Sequence, residues 1–185
     1  MPSVLNFPKL RGDRICLTDL DRGAVFDIHE YSCMPEFFRY LEMEPHCELS
    51  ETEQYFDKLV RRSDDQNGHY WMIKVLETEK VIGTFGVLGI DLRTMSAEIG
   101  YGISPLYWGQ GYFSEALCLV LRFMFDERDF HRVWANTAAQ NIGSIRALER
   151  AGFEREGLMR DFYRRHADET YMDAVILARV GPEQA

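Results

Sequence analysis

No two cysteines in this chain stand at C-x-x-C spacing. The four, Cys16, Cys33, Cys47 and Cys118, are scattered, so free thiols in a reducing cytoplasm are expected, not a disulfide framework or a zinc ribbon. The five histidines are scattered too, and with no ligand spacing among them no metal is expected. Lys and Arg never cluster beyond short pairs, and the net charge is −9 at pH 7. Neutralising a phosphate backbone needs clustered cations, so no nucleic acid is expected as a partner. Apolar runs such as residues 116–121 are too short to span a bilayer, which leaves no membrane partner in view. The first residues show no basic end followed by an apolar block, so no signal peptide is expected. No repeat, linker or low-complexity tract interrupts the 185 residues. One domain over residues 1–185, with a sizeable core, is the expectation, as a monomer or homodimer.

What is present is an ordinary globular composition, 46% hydrophobic and 28% charged, with periodicities that alternate along the chain. Residues 14–18 read as a strand and 21–32 as a helix with an acidic start. A helix from Ser50 or Thr52 to about residue 62 fits a capping box in which Glu53 reaches back to Ser50. A turn is expected at 64–68, then paired strands at 69–77 and 80–90 and a further strand at 95–103. A buried helix over 113–126, a strand at 132–136 and a helix over 142–151 stopped by Gly152 follow. Strands at 153–158 and 169–179 complete an α+β fold, a mixed, mostly antiparallel sheet with helices on its faces.

The most informative stretch is AEIGYGISPLYWGQGYFSEA, residues 97–116. An alternating apolar strand ends at Pro105, a turn holds Gly109 and Gly111, and Ser114, Glu115 and Ala116 open a long apolar helix. The free amides of a helix's first turn converge on one point, and the helix dipole adds partial positive charge there. A phosphate-bearing ligand is therefore expected. A nucleoside-triphosphate loop would need Lys then Ser/Thr after its last glycine, but Tyr112 and Phe113 stand there. A dinucleotide fingerprint would need a third glycine where Ser114 stands. A plain turn before a core helix remains an alternative on these residues alone. In an acidic chain, such a polyanion is held by local backbone dipoles and not by the overall field.

The loop WGQGYFSEA resembles the acetyl-CoA loop of the GNAT superfamily of N-acetyltransferases, and most closely that of its RimJ/RimL-type branch, the ribosomal-protein N-terminal acetyltransferases. KVIGTFGV upstream and HRVWANTAAQNIGSIRALERAGFEREGLMR downstream resemble the same branch. The likeness covers roughly residues 14–179 and is most specific over about 70–160. Trp108 departs from the usual polar Gln/Arg, and Phe113 from the usual small residue.

The resemblance implies a central sheet of six to seven strands splayed around acetyl-CoA as co-substrate, and acetyl transfer to a primary amine: a protein N-terminus, an amino sugar or a small molecule. It places the pantetheine arm along Tyr101, Gly102 and Ile103 and the pyrophosphate at Gly109, Gln110, Gly111, Tyr112, Phe113 and Ser114, with Asn136, Asn141 and Ser144 as further cofactor contacts. Gly100 and Gly102 fit a close backbone approach or a bulge. Asn141 fits a helix cap equally. Glu98 is the implied base, the alternative being a structural ion pair with Arg132. The tyrosine acid of other GNAT branches falls at Leu148, leaving Ser144 as the substitute acid or as a helix-start hydroxyl. The acceptor side is open to two readings: the aromatics at 36–41 and 54–59 wall a pocket or fill the core, and 159–166 is a polar connection that meets the acceptor or a solvated loop. A non-catalytic acyl-CoA-binding module is the alternative function.

Overall fold

The computed structural model describes residues 6–64, 68–165 and 168–181. The centre of the turn expected at 64–68, and His166 at the end of the 159–166 connection, lie outside the described residues. In chain order the elements are β1 (Leu10–Arg11), β2 (Ile15–Thr18), α1 (Val25–Ser32), α2 (Pro35–Phe38), α3 (Leu49–Asp64), β3 (Gly68–Val75), β4 (Val81–Asp91) and β5 (Ser96–Ile103), then α4 (Tyr112–Arg122), β6 (Arg132–Ala138), α5 (Ile142–Arg150), β7 (Glu154–Arg164) and β8 (Tyr171–Val180).

The strands form one sheet in the order β1-β2-β3-β4-β5-β6-β8-β7. Eight strands are described where six to seven were expected. The unforeseen one is β1, two residues long and too short to show a periodicity. Only β5 and β6 run parallel; every other neighbouring pair is antiparallel.

Alternation along the strands builds two cores. Trp71, Ile73 and Val75 of β3 point to one face, with Phe85, Val87, Ala97, Ile99 and the apolar stripe of α4: Ala116, Leu117, Val120 and Leu121. Met72, between them, points to the other face and joins Ile28 and Tyr31 of α1 and Phe56 of α3. Helix α4 passes into a π-helical turn, Phe123–Glu127, so the single helix expected over 113–126 changes pitch at its end.

Two local expectations are corrected. The cap of α3 lies two residues earlier than Ser50 and Glu53: Glu51 Oε2 accepts the backbone N–H groups of Cys47 and Glu48 at 2.7 and 2.9 Å. Thr52 is buried inside that helix, its hydroxyl bonded to His29 and His46. Residues 159–164 are strand, not loop: β7 continues to Arg164 through a register shift between Met159 and Tyr163.

Candidate active site

The parallel ladder between β5 and β6 has three residue pairs, ending at Glu98 opposite Trp134. Beyond it β5 runs on to Ile103 and β6 to Ala138 without pairing, so the sheet opens in its middle. Ser104 N–H donates to Ile82 O at 2.7 Å, which fixes the phase of the β4–β5 ladder. By alternation, Glu98, Gly100 and Gly102 turn their backbone groups toward β4, while Ile99, Tyr101 and Ile103 turn theirs into the opening. The Ile103 carbonyl is met there by the Trp108 indole N–H at 2.8 Å. This is the place of the departure from the usual loop: Trp108 pins the loop back to the end of β5.

The loop itself passes a 3-10 turn, Pro105–Tyr107, and then two glycines with positive φ, 72° at Gly109 and 83° at Gly111. Gly111 is the N-cap of α4 and offers no side chain to its first-turn amides. Left-handed backbone at this cap is costly for any residue with a Cβ. The Gln110 side chain folds back onto Leu106 O at 2.8 Å. Phe113 packs its ring against Tyr101, centroids 4.2 Å apart, and so turns inward. With the Gln110 and Phe113 side chains turned away, the loop presents backbone amides, an arrangement that suits an anion.

On one side of the sheet, Glu98 Oε1 accepts from Asn136 Nδ2 at 2.7 Å, and Asn136 Oδ1 in turn accepts the Tyr163 hydroxyl. Burial raises the Glu98 carboxyl above its usual range, and the Asn136 hydrogen bond opposes this only in part. Burial, with the negative charges of Glu98 and Glu42 added, pushes Tyr163 up to about 12. No cation pairs with Glu98 among the described residues. The expected alternative partner, Arg132, is instead bonded to Glu156, its Nη1 at 2.8 Å from Oε1. Phe37 lies over β5 here: a Cβ on Gly102 would stand 2.7 Å from Phe37 Cζ, so any larger residue would have to displace that ring. Glu42 closes this side by accepting Arg164 N–H at 3.3 Å.

In the aromatic segments, Phe38, Phe56 and Leu59 are core, and Phe37 packs against that core while lying over Gly102.

Ser144 belongs to a second cluster. Its hydroxyl meets the Tyr101 hydroxyl at 2.8 Å, and its N–H donates to Asn141 Oδ1 at 3.2 Å, which makes Asn141 the cap of α5. Burial raises the Tyr101 phenol well above its ordinary value. Glu98 and Tyr101 are three residues apart on one strand and so face opposite sides of the sheet. The structure therefore groups Glu98 with Asn136, and Ser144 with Tyr101 and Asn141. Leu148 is fully buried in the core and offers no chemistry.

Sequence reasoning missed Tyr163 and Glu42. The bulge in β7 breaks the alternation that would have marked Tyr163 as inward-facing. Among the described residues no group of three or more His, Cys, Asp and Glu is placed to hold a metal.

Comparison with known proteins fits this geometry. Residues 14–154 match the family model of the acetyltransferase (GNAT) domain. The chain is 34% identical over 141 residues to the [ribosomal protein uS5]-alanine N-acetyltransferase of Escherichia coli, covering 76% of this chain and 72% of that one. Among solved structures, the ribosomal L7/L12 α-N-protein acetyltransferase RimL in complex with coenzyme A superposes with a TM-score of 0.82 at 18% identity, covering 94% of this chain and 98% of that one. Spermidine N-acetyltransferase from Vibrio cholerae, in complex with CoA and spermine, superposes at 0.75 with 21% identity, over 91% and 96%. The family match and the curated relatives define a transferase that carries an acyl group. The chain belongs to the GNAT family, and within it to the acetyl-CoA-dependent N-acetyltransferases.

Proposed function

We propose that the chain moves the acetyl group of acetyl-CoA directly to a primary amine in a ternary complex, with Glu98 taking the amine proton. The observation that carries this is Glu98 itself: a partly buried carboxylate at the mouth of the opened sheet, raised by burial and without a cation partner. A carboxyl in that state is a better base than a solvent-exposed one. Asn136 holds one oxygen and leaves the other for the amine or a bridging water, and Tyr163 fixes Asn136.

Acetyl-CoA supplies the activated thioester. The residues that would hold it are those with open backbone: the first-turn amides of α4 and the amides of Gly109, Gln110 and Gly111 for the diphosphate, and the outward backbone of Tyr101 with the Ile103 N–H, flanking Gly102, for the pantetheine arm. Asn141 and Ser144 border that arm from α5. The outward Tyr101 and Ile103 amides also offer donors to the developing oxyanion.

Direct transfer is supported by what surrounds Glu98. Neither Asn136, which is bonded to it, nor Tyr163, which is bonded to Asn136, carries a thiol, and Ser144 is committed to Tyr101 on the opposite face. Glu98 and Glu42 give the acceptor side a negative potential, which suits an amine that arrives as a cation. The acceptors named for the relatives, an alanine of ribosomal protein uS5 and spermidine, both present an amine of this kind. A cytoplasmic setting is part of this reading, supported by four free cysteines. The non-catalytic alternative is not favoured, because the relatives are transferases.

The test is thiol release from acetyl-CoA against a panel of peptide N-termini, amino sugars and polyamines. Initial-rate lines for an active acceptor should intersect when both substrates are varied. Parallel lines, diagnostic of an acyl-enzyme, would overturn direct transfer.

A further inference from the structure

Resting on the reading that the loop takes the diphosphate, we propose that Arg14 is a positioning residue for that cradle, acting from the far side of the chain through the Gln110–Gly111 peptide. Arg14 Nη1 donates to Gln110 O at 2.9 Å. The peptide bond is planar and trans, so its N–H points opposite to its carbonyl. Holding the Gln110 carbonyl therefore aims the Gly111 N–H away from Arg14, into the cradle.

The same guanidinium does a second thing. Glu115 stands in the first turn of α4, where a bare carboxylate would repel a diphosphate. Arg14 Nε donates to Glu115 Oε2 at 3.0 Å, and the backbone N–H groups of Arg14 and Ile15 donate to Oε1 at 2.8 and 3.3 Å. Burial raises the Glu115 carboxyl, but these donors outweigh it and hold the group below its usual range, ionised and neutralised. The guanidinium also lies 4.6 Å over the Tyr112 ring. One planar fork thus sets the loop, the helix start and the local charge together. Lysine, a single nitrogen without the planar fork, does not reproduce the two separately directed donors to Gln110 O and Glu115.

The experiment compares CoA, titrated calorimetrically, with pantetheine, which lacks the diphosphate, titrated by ligand-observed NMR. Arg14→Lys keeps the charge and loses the fork. It should weaken CoA about tenfold, ~1.4 kcal/mol, and leave pantetheine within about twofold of wild type. The double variant Arg14→Met with Glu115→Gln leaves no carboxylate unpaired and keeps an amide oxygen for the Arg14 and Ile15 N–H groups, so it guards against a folding defect and should show the same selective loss. Unchanged CoA binding in Arg14→Lys, or equal weakening of both ligands, overturns the proposal while leaving the loop reading intact. A wild-type protein that binds pantetheine as tightly as CoA overturns the loop reading, and the Arg14 proposal with it.

Discussion

Two glutamates flank the opened sheet and have been given opposite surroundings. Glu115, at the start of α4, is gripped by a guanidinium and two backbone amides, and its carboxyl is held low. Glu98, on β5, has burial and one amide donor, no cation partner among the described residues, and a carboxyl held high. The first is a carboxylate whose charge is used up in holding structure. The second keeps a proton affinity that neighbouring charge has not cancelled, which is what a base requires. Proximity to the cofactor loop does not separate the two; the presence or absence of a cation does.

The largest effect that sharpens this contrast is on turnover. Glu98→Gln keeps the Asn136 hydrogen bond and removes the base, so kcat should fall about 10²-fold or more while the Kd of acetyl-CoA stays nearly constant. The deficit should shrink as pH rises toward the amine's own pKa, near ~8 for an N-terminal amine. In the wild type, activity should fall as pH drops through the raised Glu98 value. A Glu98→Gln enzyme with a constant deficit at all pH values would reduce Glu98 to a structural part.

Next in size is the loop. Gly111→Val adds a Cβ at φ 83°, 3.2 Å from Arg14 Nη2. It should weaken CoA tenfold or more, about 1.4 kcal/mol or above. Gln110→Ala should change CoA binding by less than about twofold, because that side chain points back to Leu106. The reverse ranking in calorimetry would contradict an amide cradle.

Smaller, and specific to the comparison, are opposite slopes of stability with pH. Glu115 is lowered on folding, so its contribution is present above the ordinary carboxylate pKa and lost as pH falls through the lowered value. Glu115→Gln should cost about 1–2 kcal/mol at neutral pH, measured by denaturant melts, and less in acid. Glu98 is raised, so its contribution is present below the ordinary pKa and lost as pH rises through the raised value. Glu98→Gln should therefore be neutral or slightly stabilising at pH 7. Parallel slopes for the two variants would break the distinction.

Much of the scaffold of this contrast could be read from residue order. The strand carrying Glu98, the glycine pair and the start of α4 lie within 97–116, where alternation gives way to helical spacing. Asn141 and Ser144 were legible as a helix start. The partners that decide each glutamate's character were not. Arg14 is 101 residues from Glu115, and no local period reports a contact at that separation. Tyr163 lies beyond a bulge that shifts its face, in a segment whose charges read as a loop. Arg132 was a reasonable partner for Glu98 on neighbouring strands, yet Glu156 on β7 holds it. The α3 cap was displaced because any carboxylate at the third helical position can reach back, and Glu51 stood nearer to the helix start than Glu53.

The short β5–β6 ladder has a mechanical consequence. Backbone bonding across the middle of the sheet stops at Glu98–Trp134, so a ligand lying against the outward groups of Tyr101 and Ile103 acts as a splint across a seam. Occupancy should slow amide exchange on both flanks of that seam, and it should raise resistance to unfolding by about 2.7 kcal/mol when free ligand is about a hundredfold above its Kd. The lifetime of this enzyme in a cell would then follow the supply of its own donor, with scarcity leaving a strand edge bare in the centre of the molecule.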